Sequence, residues 1–322
     1  MTFQAGKLIQ ALDYNNLVGS NPSSDANKLN TVWATGNATA GYGQTALSTV
    51  TAIGPITKVT AAQWLSLINT AANIAAHQGS SFSAISPMPV QGGKINLSTS
   101  TLSNITTNLA TIYANRFNAS GQGTSSQTNA STSANWTTSK TFTHTVTFAS
   151  SEHARFFFNS GGQLKLNFTH TDTSDTINTA IYSLCNAAGT MVMSAPGDST
   201  QITIGGTTFN GVTAINNTTS PSLLATTKGY YGLTTSNVTV YTIYGGGYGY
   251  GYGSLQLSVS LRTNAGTTNG ANGNIITLTT TISGVSATVK PTTTSRLIVQ
   301  PPMSTYLPTN TWGSPTVGTS VS

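Results

Sequence analysis

Six carboxylates make up the whole acidic inventory of this 322-residue chain: Asp13, Asp25, Glu152, Asp172, Asp175 and Asp198. Four histidines and one cysteine, Cys185, are the remaining candidates for base, nucleophile or metal ligand. Three of the histidines, His144, His153 and His170, fall close together, with Glu152, Asp172 and Asp175 among them. His170 and Asp172 stand two apart, a spacing that puts both on one face of a strand. Imidazole and carboxylate together are a donor set for a divalent metal. Neither metalloprotease nor zinc-finger spacing is present. The structural alternative weighs more: His144 alternates with Phe142, Val146 and Phe148 as a core residue would, and Asp172 and Asp175 stand where a helix starts. His170 and Asp172 are the weak metal candidates, and no cofactor is expected.

Other chemistries find less support. No Gly-x-Ser-x-Gly elbow marks a serine nucleophile. Cys185 lies among Ile181 and Leu184 and reads as a small buried hydrophobe. Gly121-Gln-Gly123 and Gly205-Gly206 are not followed by the helix and lysine that a phosphate-binding loop needs. Glycoside hydrolysis needs two carboxyls across a cleft, and no spacing singles out a pair. Sequons such as Asn37-Ala-Thr39 and Asn167-Phe-Thr169 are expected by chance in a chain so rich in Asn, Ser and Thr. These residues predict a chain that is not an enzyme.

Charged residues make up only 6% of the chain, for a net charge of +6, and the basic residues are dispersed from Lys7 to Arg296. A nucleic-acid footprint needs clustering, so no specific nucleic acid is expected. Thr, Ser, Asn and Gly replace the missing charge, and such a surface does little to repel neighbouring copies. That predicts self-assembly into a homo-oligomer, a trimer in the case of a fibre. No run approaches the ~18 apolar residues of a membrane span. Met1–Gln10 lacks the apolar core of a secretory signal, so synthesis in the cytoplasm without processing is expected.

The elements that must position these groups divide the chain. Thr60-Ala61-Ala62-Gln63 predicts a capping box. Trp64, Leu67, Ile68, Ala71, Ala72, Ile74 and Ala75 follow at helical spacing, and Gly79 is the stop. A second helix is predicted over Thr101–Phe117, with Leu102, Ile105, Leu109, Ile112 and Tyr113 on one face. Shorter helical turns are predicted near Ala11–Val18 and Ala26–Ala34. Residues 119–139 are polar and low in complexity and read as a linker. From Lys140 the period becomes two. In Thr141–Phe148 the apolar residues take one face and four threonines the other, and Gln163–His170 alternates again. Asp172–Ala188 reads as a helix that Ser174 can cap. Further strands are predicted at Gln201–Ile204, Asn237–Tyr244, Leu255–Arg262, Ile275–Ile282, Val285–Val289 and Arg296–Gln300.

The expectation is therefore an α+β chain. A helical, docking domain at 1–118 precedes the linker at 119–139, a mainly antiparallel, sandwich or jelly-roll-like β domain at 140–300, and an extended Pro/Ser/Thr-rich tail at 301–322. Two surfaces are candidates for interaction. One is the Trp64, Leu67, Ile68 stripe; if it packs on the second helix, docking passes to the flanks, Phe3–Val18 and Trp33–Val50. The other is the tyrosine–glycine repeat at 244–253, a hairpin tip that would present Tyr248, Tyr250 and Tyr252.

The segment Phe142-Thr-His-Thr-Val-Thr-Phe-Ala-Ser-Ser-Glu-His-Ala-Arg-Phe-Phe-Phe-Asn-Ser-Gly-Gly-Gln-Leu-Lys-Leu-Asn-Phe168 resembles a motif of structural proteins of tailed bacteriophages, notably those of cyanobacteria and related hosts. Asp13-Tyr14-Asn15-Asn16, Gly41-Tyr42-Gly43-Gln44, Gln63-Trp64 and His77-Gln78-Gly79 resemble the same group. The resemblance covers about half the chain and leaves the far C-terminus unmatched. It implies a non-enzymatic component of a virion, in the tail, baseplate, neck or collar, or fibres, made in the host cytoplasm. Its partners would be other virion proteins, copies of itself and a host cell-surface glycan. It carries no catalytic residues. The alternatives are a particle-borne glycan depolymerase or cell-wall hydrolase, and a capsid decoration protein.

Overall fold

The computed structural model describes residues 10–23, 25–37, 39–51, 58–90, 98–198, 200–215, 222–223, 228–245, 253–266 and 272–322. Among these residues it is an α+β chain of six α-helices and three antiparallel sheets. It forms two compact units, Met1–Gly121 with Met303–Thr311, and Gln122–Pro302 with Trp312–Ser322.

Unit 1 holds α1 (Ala11–Val18), α2 (Leu29–Trp33), α3 (Ala61–Gln78) and α4 (Thr99–Ala114). The capping box that opens α3 is formed: Thr60 Oγ1 accepts from Gln63 N, and the Gln63 side chain accepts from Thr60 N at 2.8 Å. Gly79 ends α3 in the left-handed conformation, which costs glycine no side-chain clash. Most of the α3 stripe and, in α4, Ile105, Leu109 and Ile112 are buried within the unit, whereas Leu102 and Tyr113 are half-buried, and Trp64 meets Tyr14 edge-on at 5.7 Å. Each fully buried large side chain contributes about 1.5–3 kcal/mol.

Residues 41–51 run through this unit without regular structure. Side-chain amides replace the missing ladder partners. Asn15 brackets Val50, donating to its carbonyl at 2.8 Å and accepting from its N–H at 2.7 Å. Asn30 does the same to Leu47 (2.8 and 3.0 Å), and Gln44 does so to Thr309 (2.8 and 3.0 Å). Tyr42 is fully buried; its hydroxyl donates to Arg116 O at 2.9 Å and accepts from Gln78 Nε2 at 2.8 Å.

Unit 2 begins with β1 (Ser126–Ser131), β2 (Trp136–Thr147), α5 (Ser151–Asn159), β3 (Gln163–His170), α6 (Thr176–Ala188) and β4 (Thr190–Met193). It continues with β5 (Ile202–Ile204), β6 (Thr207–Phe209), β7 (Val212–Ile215), β8 (Ser222–Leu223), β9 (Val238–Tyr244) and β10 (Gln256–Thr263). The last strands are β11 (Ile275–Val289), β12 (Thr293–Gln300) and β13 (Thr316–Val321). One sheet has the order β1-β12-β3-β4-β7-β8, the second β13-β2-β11-β10-β9, and β5 pairs with β6 alone. The two large sheets meet where His144 of β2 bonds Ser295 of β12 at 3.0 Å. Helix α6 contacts β3 of one sheet and β9, β10 and β11 of the other. Helix α5 carries the chain from the second sheet to the first. Its Phe157 and Phe158 join Phe148 and Tyr230 in a ring cluster with centroids 4.5–6.2 Å apart.

Several expectations need correction. Residues 119–139 are not a linker: β1 pairs with β12 over six residues and β2 starts at Trp136. β1 is an exposed edge strand, so it lacks the apolar alternation that marks a half-buried one. The tail at 301–322 is extended but belongs to both units: Leu307 is buried, and β13 pairs with β2. Ile275–Ile282 and Val285–Val289 are one strand, β11. It passes an irregularity at Gly284, whose positive φ and lack of a Cβ avoid collision with the Ser254 carbonyl. Asp175, not Ser174, caps α6. Helix α5 was not predicted, although Ser150 caps it through the His153 N–H. Tyr248, Tyr250 and Tyr252 lie outside the described residues.

Candidate functional site

The titratable groups are drawn into structure one by one. Asp13 closes the box that opens α1, accepting from Gln10 N at 3.2 Å. Glu152 pairs with Arg155 at 3.4 Å. Asp172 Oδ1 accepts from Ser174 N (2.9 Å) and Ser174 Oγ (2.6 Å), and these bonds hold its carboxyl below the usual range. Asp175 accepts from the Asn178 N–H at 2.9 Å and from the Asn178 amide at 2.8 Å, which lowers it too. Asp198 Oδ1 accepts from Thr200 N at 2.9 Å.

The histidines are equally committed. His170 is buried, with Nδ1 2.8 Å from Thr293 Oγ1 and Nε2 3.0 Å from Asn178 Oδ1. Asn178 donates its NH₂ to Asp175, and its Oδ1 also accepts from Lys290 N, so Oδ1 is an acceptor and the His170 proton sits on Nε2. Burial lowers the pKa of this ring, opposed by Asn178 and by the charges of Asp172 and Asp175. As metal ligands His170 and Asp172 are engaged elsewhere: both ring nitrogens of His170 have protein partners, and Asp172 Oδ1 is held by Ser174. Among the described residues no three metal-ligating side chains come together. His144 is fully buried, and desolvation pushes it down to about 4. His153 Nδ1 bonds Ser150 Oγ at 2.7 Å at the start of α5. Burial pushes the Cys185 thiol up to about 12, which removes its thiolate at neutral pH.

The interaction candidates of unit 1 are also corrected. Trp64 and Leu67 are fully buried and Ile68 nearly so, because the stripe packs inside the unit and is not presented to a partner. Of the flanking residues, Leu12 is 62% exposed. Thr45, Ala46, Leu47 and Ser48 line an open cleft of about 460 Å³ with Tyr14, Ala62, Gln63 and Ser66. That lining offers hydroxyl, amide and methyl groups, and no carboxylate or imidazole.

The outer face of the second sheet is a further candidate surface. Its inner face is marked by Phe142, His144 and Val146, and by α6, where Tyr241 Oη donates to Ala188 O at 3.4 Å. Residues directly opposite on neighbouring strands share a face, so the register lines up rows. Thr143 lies between Ser320 and Thr279, and Thr279 is followed by Ser260 and Thr239. The next row is Thr141, Thr281, Ser258 and Thr242, and the one beyond it Ser139, Ser283, Gln256 and Tyr244. On the other side stand Thr145, Thr277 and Arg262, the one charged side chain of these rows. Rows repeat about every 7 Å along the strands, and strands about every 4.8 Å across. Thr141 and Thr281 bond each other at 3.3 Å, and Gln256 Nε2 donates to Ser283 Oγ at 3.1 Å. The hydroxyls of Thr143, Thr279, Ser258 and Ser260 bond no other side chain or backbone group among the described residues. Sequence reasoning found the four threonines of β2 but not the rows. The signal was present as Thr277-x-Thr279-x-Thr281 and Ser258-x-Ser260.

The segment Phe142–Phe168 that carries the phage resemblance is the second half of β2, α5 and most of β3, and its aromatic residues are packing residues. Compared with protein-family models, with curated proteins and with solved structures, the chain matches none.

Proposed function

We propose that the protein is a non-enzymatic structural component of a bacteriophage particle, placed in the tail, baseplate, neck or fibres, and that it assembles with copies of itself and with other virion proteins. The observation that carries this reading is the use made of the motif residues. Asn15, Tyr42, Gln44, Trp64, Gln78 and the Phe156-Phe-Phe158 run serve packing and backbone bracketing. Five of the six carboxylates are engaged in caps, turns and an ion pair. A chain so poor in charge favours contact between copies. Unit 1 carries attachment to the particle, through the surface around Leu12 and the Thr45–Ser48 cleft, now that the Trp64 stripe is accounted for by the core.

Immunogold labelling of intact particles with antibody to this protein tests the reading. Gold at one defined position on the tail or neck is the expected result; particles free of the chain by mass spectrometry would overturn it. The purified protein is expected to leave host polysaccharide and cell wall intact. Clearing that disappears in Glu152→Gln would replace this reading with a depolymerase.

A further inference from the structure

We infer that the outer face of the second sheet, at its Tyr244 corner, binds a neutral glycan. The corner is built from six side chains in two adjacent rows: Tyr244, Gln256 and Ser283 in one, Thr242, Ser258 and Thr281 in the other. Tyr244 is 60% exposed at the end of the edge strand β9, where its backbone is paired with Gln256 of β10, so an aromatic ring is offered to solvent beside that row. A sugar ring binds such a side chain through its apolar C–H face, and its rim hydroxyls then need donors and acceptors at set distances.

The adjoining rows supply them. Gln256 stands directly beside Tyr244, its amide oriented by the 3.1 Å bond to Ser283. Ser258 and Thr242 stand opposite each other one row on, about 7 Å away. The Ser258 hydroxyl has no bonding partner within the described protein. Such groups, held on β-strands, need little ordering on binding, which lowers the entropic cost.

The absence of charge within the corner selects the ligand class. Arg262 lies in a row further along the strands, separated from the Tyr244 row by two intervening rows. An acidic or basic polymer therefore finds no counter-charge here, whereas a neutral hexose polymer finds hydroxyls, an amide and a ring. A second copy is a poorer occupant, because rows of hydroxyls bury little apolar area on stacking. Repeated copies would raise the avidity of such a site.

This inference deepens the non-enzymatic reading and rests on it in one respect: the glycan is held and not cut. The test uses the full chain in affinity electrophoresis through gels containing dextran, laminarin or galactomannan, with alginate as the acidic control. Retardation by at least one neutral polysaccharide and not by alginate is expected, with about tenfold weaker binding in Tyr244→Ala and a smaller loss in Ser258→Ala. Thr145→Val, on the same face but outside the corner, should bind as the parent does, and circular dichroism should show all three variants folded. No retardation in any neutral gel overturns the inference, as does retardation unchanged in Tyr244→Ala. Self-association detected by light scattering and lost in Tyr244→Ala, without polysaccharide binding, assigns the corner to a second copy and also overturns it. New reducing ends released from a polysaccharide that is bound would instead overturn the non-enzymatic reading and leave the binding site standing.

Discussion

The irregular segment at 41–51 in unit 1 and the sheets of unit 2 meet the same requirement by different means. Every buried backbone N–H and C=O must find a partner. In unit 2 the partners are other strands: β2, for example, is paired on one side by β11 and on the other by β13. In unit 1 the same need is met by amide side chains, Asn15 on Val50, Asn30 on Leu47 and Gln44 on Thr309, each both donating and accepting. A ladder distributes its bonds over many residues, none of whose side chains is essential to pairing. A bracket concentrates two or three bonds in one side chain. Single substitutions should therefore fall very unequally on the two regions.

The largest effect is expected where packing and bracketing share a core. Trp64→Ala removes the largest fully buried side chain of unit 1 and leaves a cavity beside Tyr14. A loss of about 3–5 kcal/mol is expected, read as a lowered urea midpoint of the helical signal in circular dichroism.

The next test concerns unit 2 and acid. His144 is neutral in the folded state and resists protonation down to about 4, whereas the unfolded chain takes up its proton near the ordinary value of 6.5. Folding is then opposed as pH falls from about 6.5 to about 4, by about 3 kcal/mol in total, and this group adds nothing further below that. Urea melts across this range should show the slope, and His144→Gln should flatten it. A slope that is unchanged in that variant would mean that another group governs the acid response.

Asn30→Ala tests the bracket itself. It removes the partner of the N–H and C=O of half-buried Leu47 and of the buried Gly19 carbonyl, at an expected cost of about 1–3 kcal/mol. Hydrogen exchange should show the Leu47 amide losing protection. The smallest effect belongs to the outer rows: Thr143→Val keeps the β-branched shape and the ladder, and should change stability by no more than about 0.5 kcal/mol. A Thr143→Val loss as large as that of Asn30→Ala would erase the distinction between bracket and ladder.

Much of the local structure could be read directly. The Thr60–Gln63 box, the Gly79 stop, the Ala11–Val18 helix and the Gln163–His170 strand stand where spacing placed them. Helix α5 was obscured because its run Phe156-Phe-Phe158 has no helical period; the helix is buried from Ala154 to Asn159, and only its first turn, with Glu152, faces solvent. The candidate site was half legible. Alternation put Thr141, Thr143, Thr145 and Thr147 on one face, but the same threonines become part of a field only when β11 and β10 are set beside them in register.

That division has a physical cause. Caps, helical stripes and strand alternation arise from the geometry of the backbone over two to four residues, so the order of amino acids is enough to decide them. Pairing across long separations is not written in any local period. Ser131 and Thr294 bond at 2.8 Å although 163 residues separate them, because loop-closure entropy rises only slowly with length and packing chooses among many sterically possible partners. Residues 126–131 look like a linker in isolation, since an edge strand facing water needs no apolar alternation; the neighbouring β12 makes them a strand. Asn15, Asn30 and Gln44 are likewise ordinary polar residues until the fold brings Val50, Leu47 and Thr309 within reach of their amides.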